Sequence, residues 1–222
     1  MTAVGAGRRL VLLAASGLAR EVLSTVRAGD ADEVVAVLDD DPGLSGVRVG
    51  STAIVGTTSA AASFTDCHFV ICAGSGAARV AIATRLASLG IGTDRFATIV
   101  HPSVDVPDGC RVGNGSILLP HIAITADVRI GEHVVVMPNV TLTHDCVVED
   151  YATLCAGATL GGGVRIGRGA TLGMASSVRE HRRVGRGAVL GMGAVALEDV
   201  PDHQTRVGCP ARPITPATRG AA

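Results

Sequence analysis

An α/β domain followed by a parallel β-helix of hexapeptide repeats is the fold this sequence predicts, and three observations carry the reading. From Val112 an aliphatic residue returns at every sixth position without a break, through Leu118, Ile124, Ile130, Val136, Leu142, Val148, Leu154, Leu160, Ile166, Leu172, Val178 and Val184 to Leu190. A helix would space such residues by three and four, and a strand would alternate them. A period of six instead means short extended segments that each turn a corner, with one aliphatic side chain per segment pointing into a prism. Secondly, the position four after each aliphatic is mostly small or β-branched (Ser116, Val134, Cys146, Ala152, Ala170, Ala194), as the narrow inside of a prism requires. Thirdly, the first hundred residues alternate apolar runs with helical patterns, which implies a parallel sheet.

In chain order, Leu10 to Ala15 reads as a buried strand, Ser16-Gly17 as a turn, and Leu18 to Ala28 as a helix. A second strand, Val34 to Leu38, runs into Asp39, Asp40 and Asp41. A third, Phe69 to Ala73, ends in Gly74-Ser75-Gly76, and a helix from Ala77 to Leu89 follows. Phe96 to Pro102 leads directly into the prism. Within it, glycine often follows the aliphatic residue (Gly113, Gly131, Gly161, Gly167, Gly173, Gly185, Gly191), where a corner needs positive φ or a close backbone approach. Arg182 occupies a slot otherwise small, so the coil around Val178 to Val184 is expected to be distorted.

Composition agrees with this plan. Aromatics make up 2% of the 222 residues, thin for an ordinary core but sufficient for stacked aliphatics. A net charge of −1 gives no field for nucleic acid or anionic lipid. The six cysteines have no CxxC spacing, which suits small thiols in a reducing compartment. Arg8-Arg9 before LVLLAASGLA could pass for a secretion signal, but the apolar stretch is short and a charged helical pattern follows, so a cytoplasmic protein is expected.

Among the histidines, His144 has an acid beside it, in Leu142-Thr143-His144-Asp145-Cys146, and should project outward from a coil corner. A neutral imidazole next to a carboxylate is a natural general base. Three convergent histidines would be needed for zinc, and positions 126, 149 and 162 hold Ala, Glu and Gly, so no metal is expected. Cys155 has no base placed for it as a nucleophile. Arg179, Arg182, Arg183 and Arg186 form either an anchor for phosphates or a solvated basic face. Ligands of a parallel sheet bind beyond the carboxyl ends of its strands, marked here by Ser16-Gly17-Leu18, Asp39-Asp40 and Gly74.

The order of a small Rossmann-like domain, a hexapeptide prism and the ending Val207-Gly208-Cys209-Pro210-Ala211-Arg212 resembles the sugar O-acyltransferase family. That family includes sialic-acid O-acetyltransferases and UDP-4-amino-sugar N-acetyltransferases of the NeuD/PglD type. The similarity spans nearly the whole chain, and its most specific piece is His144-Asp145-Cys146-Val147 with Gly157-Ala158 and Val164-Arg165-Ile166-Gly167 in register. The resemblance implies a left-handed β-helix, a homotrimer, and acetyl-CoA bound along the outside of the prism between subunits. It further implies His144 as general base with Asp145 raising its basicity. Cofactor contacts would fall at Thr153, Gly162, Met174 and Met192, and sugar-nucleotide contacts at Ser16, Gly17, Leu18, Asp39, Asp40 and Gly74. The chain departs from the family where Leu18 and Thr153 replace frequent histidines and Met137 replaces a common asparagine, which bears on the acceptor.

The sequence therefore leads us to expect a Rossmann-like acceptor domain over 1–98, an acetyltransferase prism over 99–214 and a tail over 215–222. The expected activity is transfer of an acetyl group from acetyl-CoA to an amine or hydroxyl of a nucleotide-linked sugar. A non-catalytic sugar-nucleotide-binding or assembly subunit on the same fold, or an acyltransferase with a non-sugar acceptor, are the alternatives. Val135 and Leu119, read as exposed on flat outer faces of the prism, support the expected trimer.

Overall fold

A computed structural model describes residues 7–214, so the tail at 215–222 lies outside the described residues. The chain begins with β1 (Arg9–Leu13), α1 (Gly17–Gly29), β2 (Glu33–Leu38), β3 (Arg48–Val49), β4 (Thr52–Gly56), β5 (His68–Ile71) and α2 (Gly76–Ser88). These strands form one sheet in the order β3-β4-β2-β1-β5. All its pairings are parallel except that of β3 with β4, a hairpin the sequence did not announce. β1 stops before Ala15 because Ala14 takes the left-handed φ of 78°. Ser16 then caps α1, accepting a hydrogen bond from the Leu18 N–H at 3.0 Å.

From Ile99 onward the chain winds into a prism. Two-residue strands recur every six residues and pair in parallel with the strand eighteen residues away, as Val147 does with Arg129 and Arg165. Three sheets result. The first carries Arg111–Val112, Arg129–Ile130, Val147–Val148, Arg165–Ile166 and Arg183–Val184. The second runs through Ile117–Leu118, Val135–Val136, Thr153–Leu154 and Thr171–Leu172. The third runs through Ala123–Ile124, Thr141–Leu142, Thr159–Leu160 and Ser177–Val178. Each turn of the prism is thus three hexapeptides, and the aliphatic row lies inside it. Leu118, Val136, Leu142, Leu154, Leu160, Ile166, Leu172, Val184 and Leu190 are each 0% exposed. Val112 and Ile124 are only half-buried.

The corners repeat with equal regularity. The third residue after each aliphatic takes a left-handed φ, from His133 (52°) and Asp145 (61°) to Tyr151 (59°) and His181 (57°). The glycines that directly follow the aliphatics serve the other purpose considered, close approach: a Cβ on Gly161 would lie 2.6 Å from the Glu180 nitrogen, and one on Gly167 2.6 Å from the Arg186 nitrogen.

Two expectations are corrected here. The coil at Val178–Val184 is not distorted: Arg182 accepts from the Arg165 N–H at 3.0 Å, and His181 donates to the Gly162 carbonyl at 2.8 Å, in step with every other coil. Val135 and Leu119 are not exposed either, each being 1% accessible. Together with Ile117 they share a core with Leu10, Leu12, Leu18, Val22 and Val70, because the α/β unit lies on the second face of the prism. They therefore give no argument for a trimer.

A buried arginine pins the two parts together. Arg79, on α2, is 0% exposed and meets no carboxylate among the described residues. Its guanidinium donates to the carbonyls of Ala73 (3.0 Å) and Gly74 (2.9 Å) on one side. On the other it reaches the carbonyls of His133 (2.8 Å), Tyr151 (2.7 Å) and Ala152 (2.9 Å) and the Thr153 hydroxyl (2.9 Å). Burial lowers its pKa to about 10. Beside it the His133 ring stands edge-on to Phe96 at 4.6 Å and stacks on Tyr151 at 5.1 Å.

Candidate functional site

The sequence fixes His144 two residues past the inward Leu142, at the corner between the third and first sheets. The left-handed turn at Asp145 brings its carboxylate back to the imidazole: His144 Nδ1 and Asp145 Oδ2 are 2.7 Å apart. Both side chains face solvent, at 62% and 65% exposure, so the remaining ring nitrogen is open to a reactant. One coil further on lies Gly162. A Cβ there would come within 2.5 Å of both Cε1 and Nε2 of His144, so the ring rests where a side chain would otherwise stand. The Gly161 N–H is engaged by the Val178 carbonyl at 2.9 Å, and the Gly163 N–H by the His144 carbonyl at 2.9 Å. The Gly162 N–H has no acceptor among the described residues. His144, Asp145 and Gly162 are thus brought together, with a backbone donor beside the imidazole.

The other expected cofactor residues are not gathered there within one chain. Met174 and Met192 stack on the corner between the second and third sheets, 53% and 73% exposed, with the Gly193 N–H donating to the Met174 carbonyl at 2.8 Å. Thr153 is corrected: it is 6% exposed and its hydroxyl donates to the Gly74 carbonyl at 3.3 Å while accepting from Arg79. It belongs to the junction between the parts. Burial pushes the Cys155 thiol up, against a thiolate nucleophile.

At the carboxyl edge of the N-terminal sheet, Ser16 and Gly17 open α1 as expected, and the Ser16 hydroxyl donates to the Cys72 carbonyl at 2.6 Å. Three expectations change. Leu18 is 5% exposed and packs in the core. Asp39 accepts from the N–H groups of Ala15 (2.6 Å) and Asp41 (2.8 Å), which ties the ends of β1 and β2. Asp40 accepts from the Thr58 N–H (2.9 Å) and hydroxyl (2.8 Å) and pairs with Arg85. Burial works against its ionisation but is outweighed by Thr58 and Arg85, which hold the carboxyl below the usual range. Gly74 lies nearby, its carbonyl held by Arg79. The open space at this edge is a cavity of about 210 Å³ lined by Ser16 with Arg20, Arg48, Leu44, Val47 and Ile54. The two arginines escaped the sequence reading. Arg20 could have been found, one turn into the helix that Ser16 caps; Arg48, in the unannounced hairpin, had no local signal.

Among the described residues no group of three or more His, Cys, Asp or Glu is placed to hold a metal ion, and no helix is long and apolar enough to cross a membrane. Against known families, residues 127–162 match the model for the bacterial transferase hexapeptide (six repeats). That stretch is two coils of the prism. No curated protein matches, but solved structures do over almost the full length. The acetyltransferase domain of PglB from Neisseria gonorrhoeae, in complex with acetyl coenzyme A, is 27% identical with a TM-score of 0.86, over 94% of this chain and 100% of that one. PerB from Caulobacter crescentus, in complex with CoA and GDP-perosamine, is 25% identical with a TM-score of 0.85, over 93% and 97%. WeeI from Acinetobacter baumannii is 27% identical with a TM-score of 0.84, over 93% and 100%. Two further structures of the Caulobacter GDP-perosamine N-acetyltransferase carry a substituted histidine and hold CoA and GDP-perosamine.

Proposed function

We propose that this chain is an acetyl-CoA-dependent acetyltransferase whose acceptor is an amine or hydroxyl of a nucleotide-linked sugar. The observation that carries the reading is the corner where His144, paired to Asp145 at 2.7 Å, lies over Gly162. The complexes of the PglB domain with acetyl-CoA and of PerB with CoA and GDP-perosamine support the substrate classes.

The chemistry follows from the geometry. Asp145 accepts from Nδ1–H and holds the tautomer in which Nε2 is the base. His144 takes the acceptor proton as the acceptor's nitrogen or oxygen attacks the thioester carbonyl. The Gly162 N–H stabilises the oxyanion that forms. Collapse of the tetrahedral intermediate breaks the carbon–sulfur bond, and the imidazolium returns its proton to the departing thiolate. No covalent enzyme intermediate is required.

We read 1–98 as a Rossmann-like acceptor domain and 99–214 as a left-handed prism. In this reading the acceptor's nucleotide lies beside Ser16 and Gly17, with Arg20 and Arg48 facing its phosphates, and the protein acts in the cytoplasm. Met174 and Met192 occupy a different corner from His144, so a site using all three must be completed by a neighbouring copy. A closed homotrimer would place one chain's corner against the next. N-acetylation is favoured by the similarity to the GDP-perosamine N-acetyltransferase of Caulobacter crescentus, and the acceptor identity follows from assay. The test is thiol release from acetyl-CoA with a panel of UDP-, GDP-, CMP- and dTDP-linked amino and neutral sugars, alongside sedimentation equilibrium. No acceptor-dependent release with any of them would defeat the proposal; a monomer at micromolar concentration would defeat the intersubunit site.

A further inference from the structure

Arg182 breaks the one rule the prism otherwise keeps. Its slot, four residues past an inward aliphatic, holds Ala152, Ala158, Ala170, Ala188 or Ala194 in other coils, all 0% exposed. An arginine there gains the coil nothing, since the ladder at Arg165 and Gly162 closes as it does elsewhere. It also leaves a buried Nε with no acceptor among the described residues, a group whose burial is costly. The side chain lines a cavity of about 400 Å³ with Asp145, Gly163, Arg165, His181 and Arg183. Arg183 is paired to Asp202 at 2.8 Å, while Arg165 and Arg182 have no ion-pair partner among the described residues. The cavity therefore offers two uncommitted guanidinium groups and an imidazole against one carboxylate. That carboxylate is Asp145, so the cavity adjoins the candidate base.

We propose that this cavity is a phosphate-binding subsite of the active site, in which Arg182 and Arg165 hold a phosphate group of one of the two substrates. Guanidinium forks suit phosphate oxygens, and a buried, unpartnered Nε–H gains an acceptor when such an anion is present. The phosphate could belong to CoA or to the diphosphate of a nucleotide-linked acceptor. This assignment of substrates rests on the acetyltransferase reading; the binding of an anion does not.

The test exploits the pattern itself. Arg182→Ala installs the residue that other coils carry, so the full-length variant should fold with an unchanged or higher Tm. Calorimetric titration of wild type, Arg182→Ala and Arg165→Ala with CoA, with UDP and GDP, and with inorganic phosphate then reads the site. Both variants should lose about 10–100-fold in affinity for the same phosphorylated ligand, the range of a charge-assisted hydrogen bond. A loss confined to CoA assigns the cavity to the acyl donor, and one confined to a nucleoside diphosphate assigns it to the acceptor and displaces Arg20 and Arg48 from that role. A loss for inorganic phosphate in a protein that transfers no acetyl group would keep the anion site while removing the proposed activity. Affinities within twofold of wild type for every ligand, or a Tm that falls on Arg182→Ala, would overturn the inference.

Discussion

Replacing Gly162 with alanine adds one methyl group at the point where the His144 ring rests. That Cβ would lie 2.5 Å from both Cε1 and Nε2, whereas ordinary contact begins near 3.4 Å, so the ring must withdraw by close to the difference. Gly162 does not have the left-handed φ of its neighbour Gly163, so alanine brings no backbone strain. The ring is free to move because its side chain is 62% exposed. Stability should therefore change by less than about 1 kcal/mol, the scale of an ordinary surface substitution. Catalysis should suffer much more, since a misplacement of about 1 Å in a reacting group costs on the order of 100-fold. Stopped-time thiol release gives kcat, and thermal melting gives Tm. In a His144→Ala background the same alanine should cost nothing further, because the group it displaces is gone. A kcat within about twofold of wild type for Gly162→Ala would refute the argument that this glycine exists to seat the imidazole.

The remaining predictions are these. His144→Ala should lower kcat by about 10²–10⁴-fold while calorimetric CoA affinity stays near that of wild type; Asp145→Asn, tolerated at a φ of 61°, should cost less because it tunes the base without taking the proton. Arg79→Leu should destabilise the chain by about 3–5 kcal/mol, at about 1–3 kcal/mol for each buried carbonyl left without a donor, a fall in Tm on the order of 10 °C, because it strands carbonyls on both sides of the junction. Acid should weaken the same junction: burial and the nearby Arg79 charge lower the His133 pKa to about 4 from 6.5, so the ring folds neutral, and its contribution is whole above pH ~6.5 and lost as pH falls toward ~4. His133→Asn should flatten that part of the stability–pH curve, measured by denaturant unfolding; an unchanged slope would remove His133 as its source.

The prism was legible because its signal is a repeat, and a repeat of six has one physical cause. Fourteen aliphatics in register left nothing to weigh against. His144 was legible for the same reason: counting from Leu142 places it on an outer corner, and its acid neighbour follows in sequence. The periodicity tells which side chains face inward, but not what covers the outside. Val135 and Leu119 point out of the prism and are nonetheless buried under α1 and β1. Acids at a strand's end read as contacts for a sugar nucleotide, although the same position lets Asp39 cap the turn of a neighbouring strand. Arg79 gave no signal at all, since its partners His133 and Thr153 lie 54 and 74 residues away in sequence.

Where the repeat is strictest, its exceptions carry the most information. A glycine in the prism is normally explained by backbone: Gly163 and Gly169 take left-handed φ, while Gly113, Gly161, Gly167 and Gly173 would strike the backbone of the next coil. Gly162 has neither reason, and the atoms that fill its space belong to His144. An inward slot is normally small, and Arg182 is not, yet its coil closes like the others. These two departures sit at the same corner, in the two coils that follow that of Asp145. Stacking needs neither of them, and local rules broken without structural gain are expected where a protein does its chemistry.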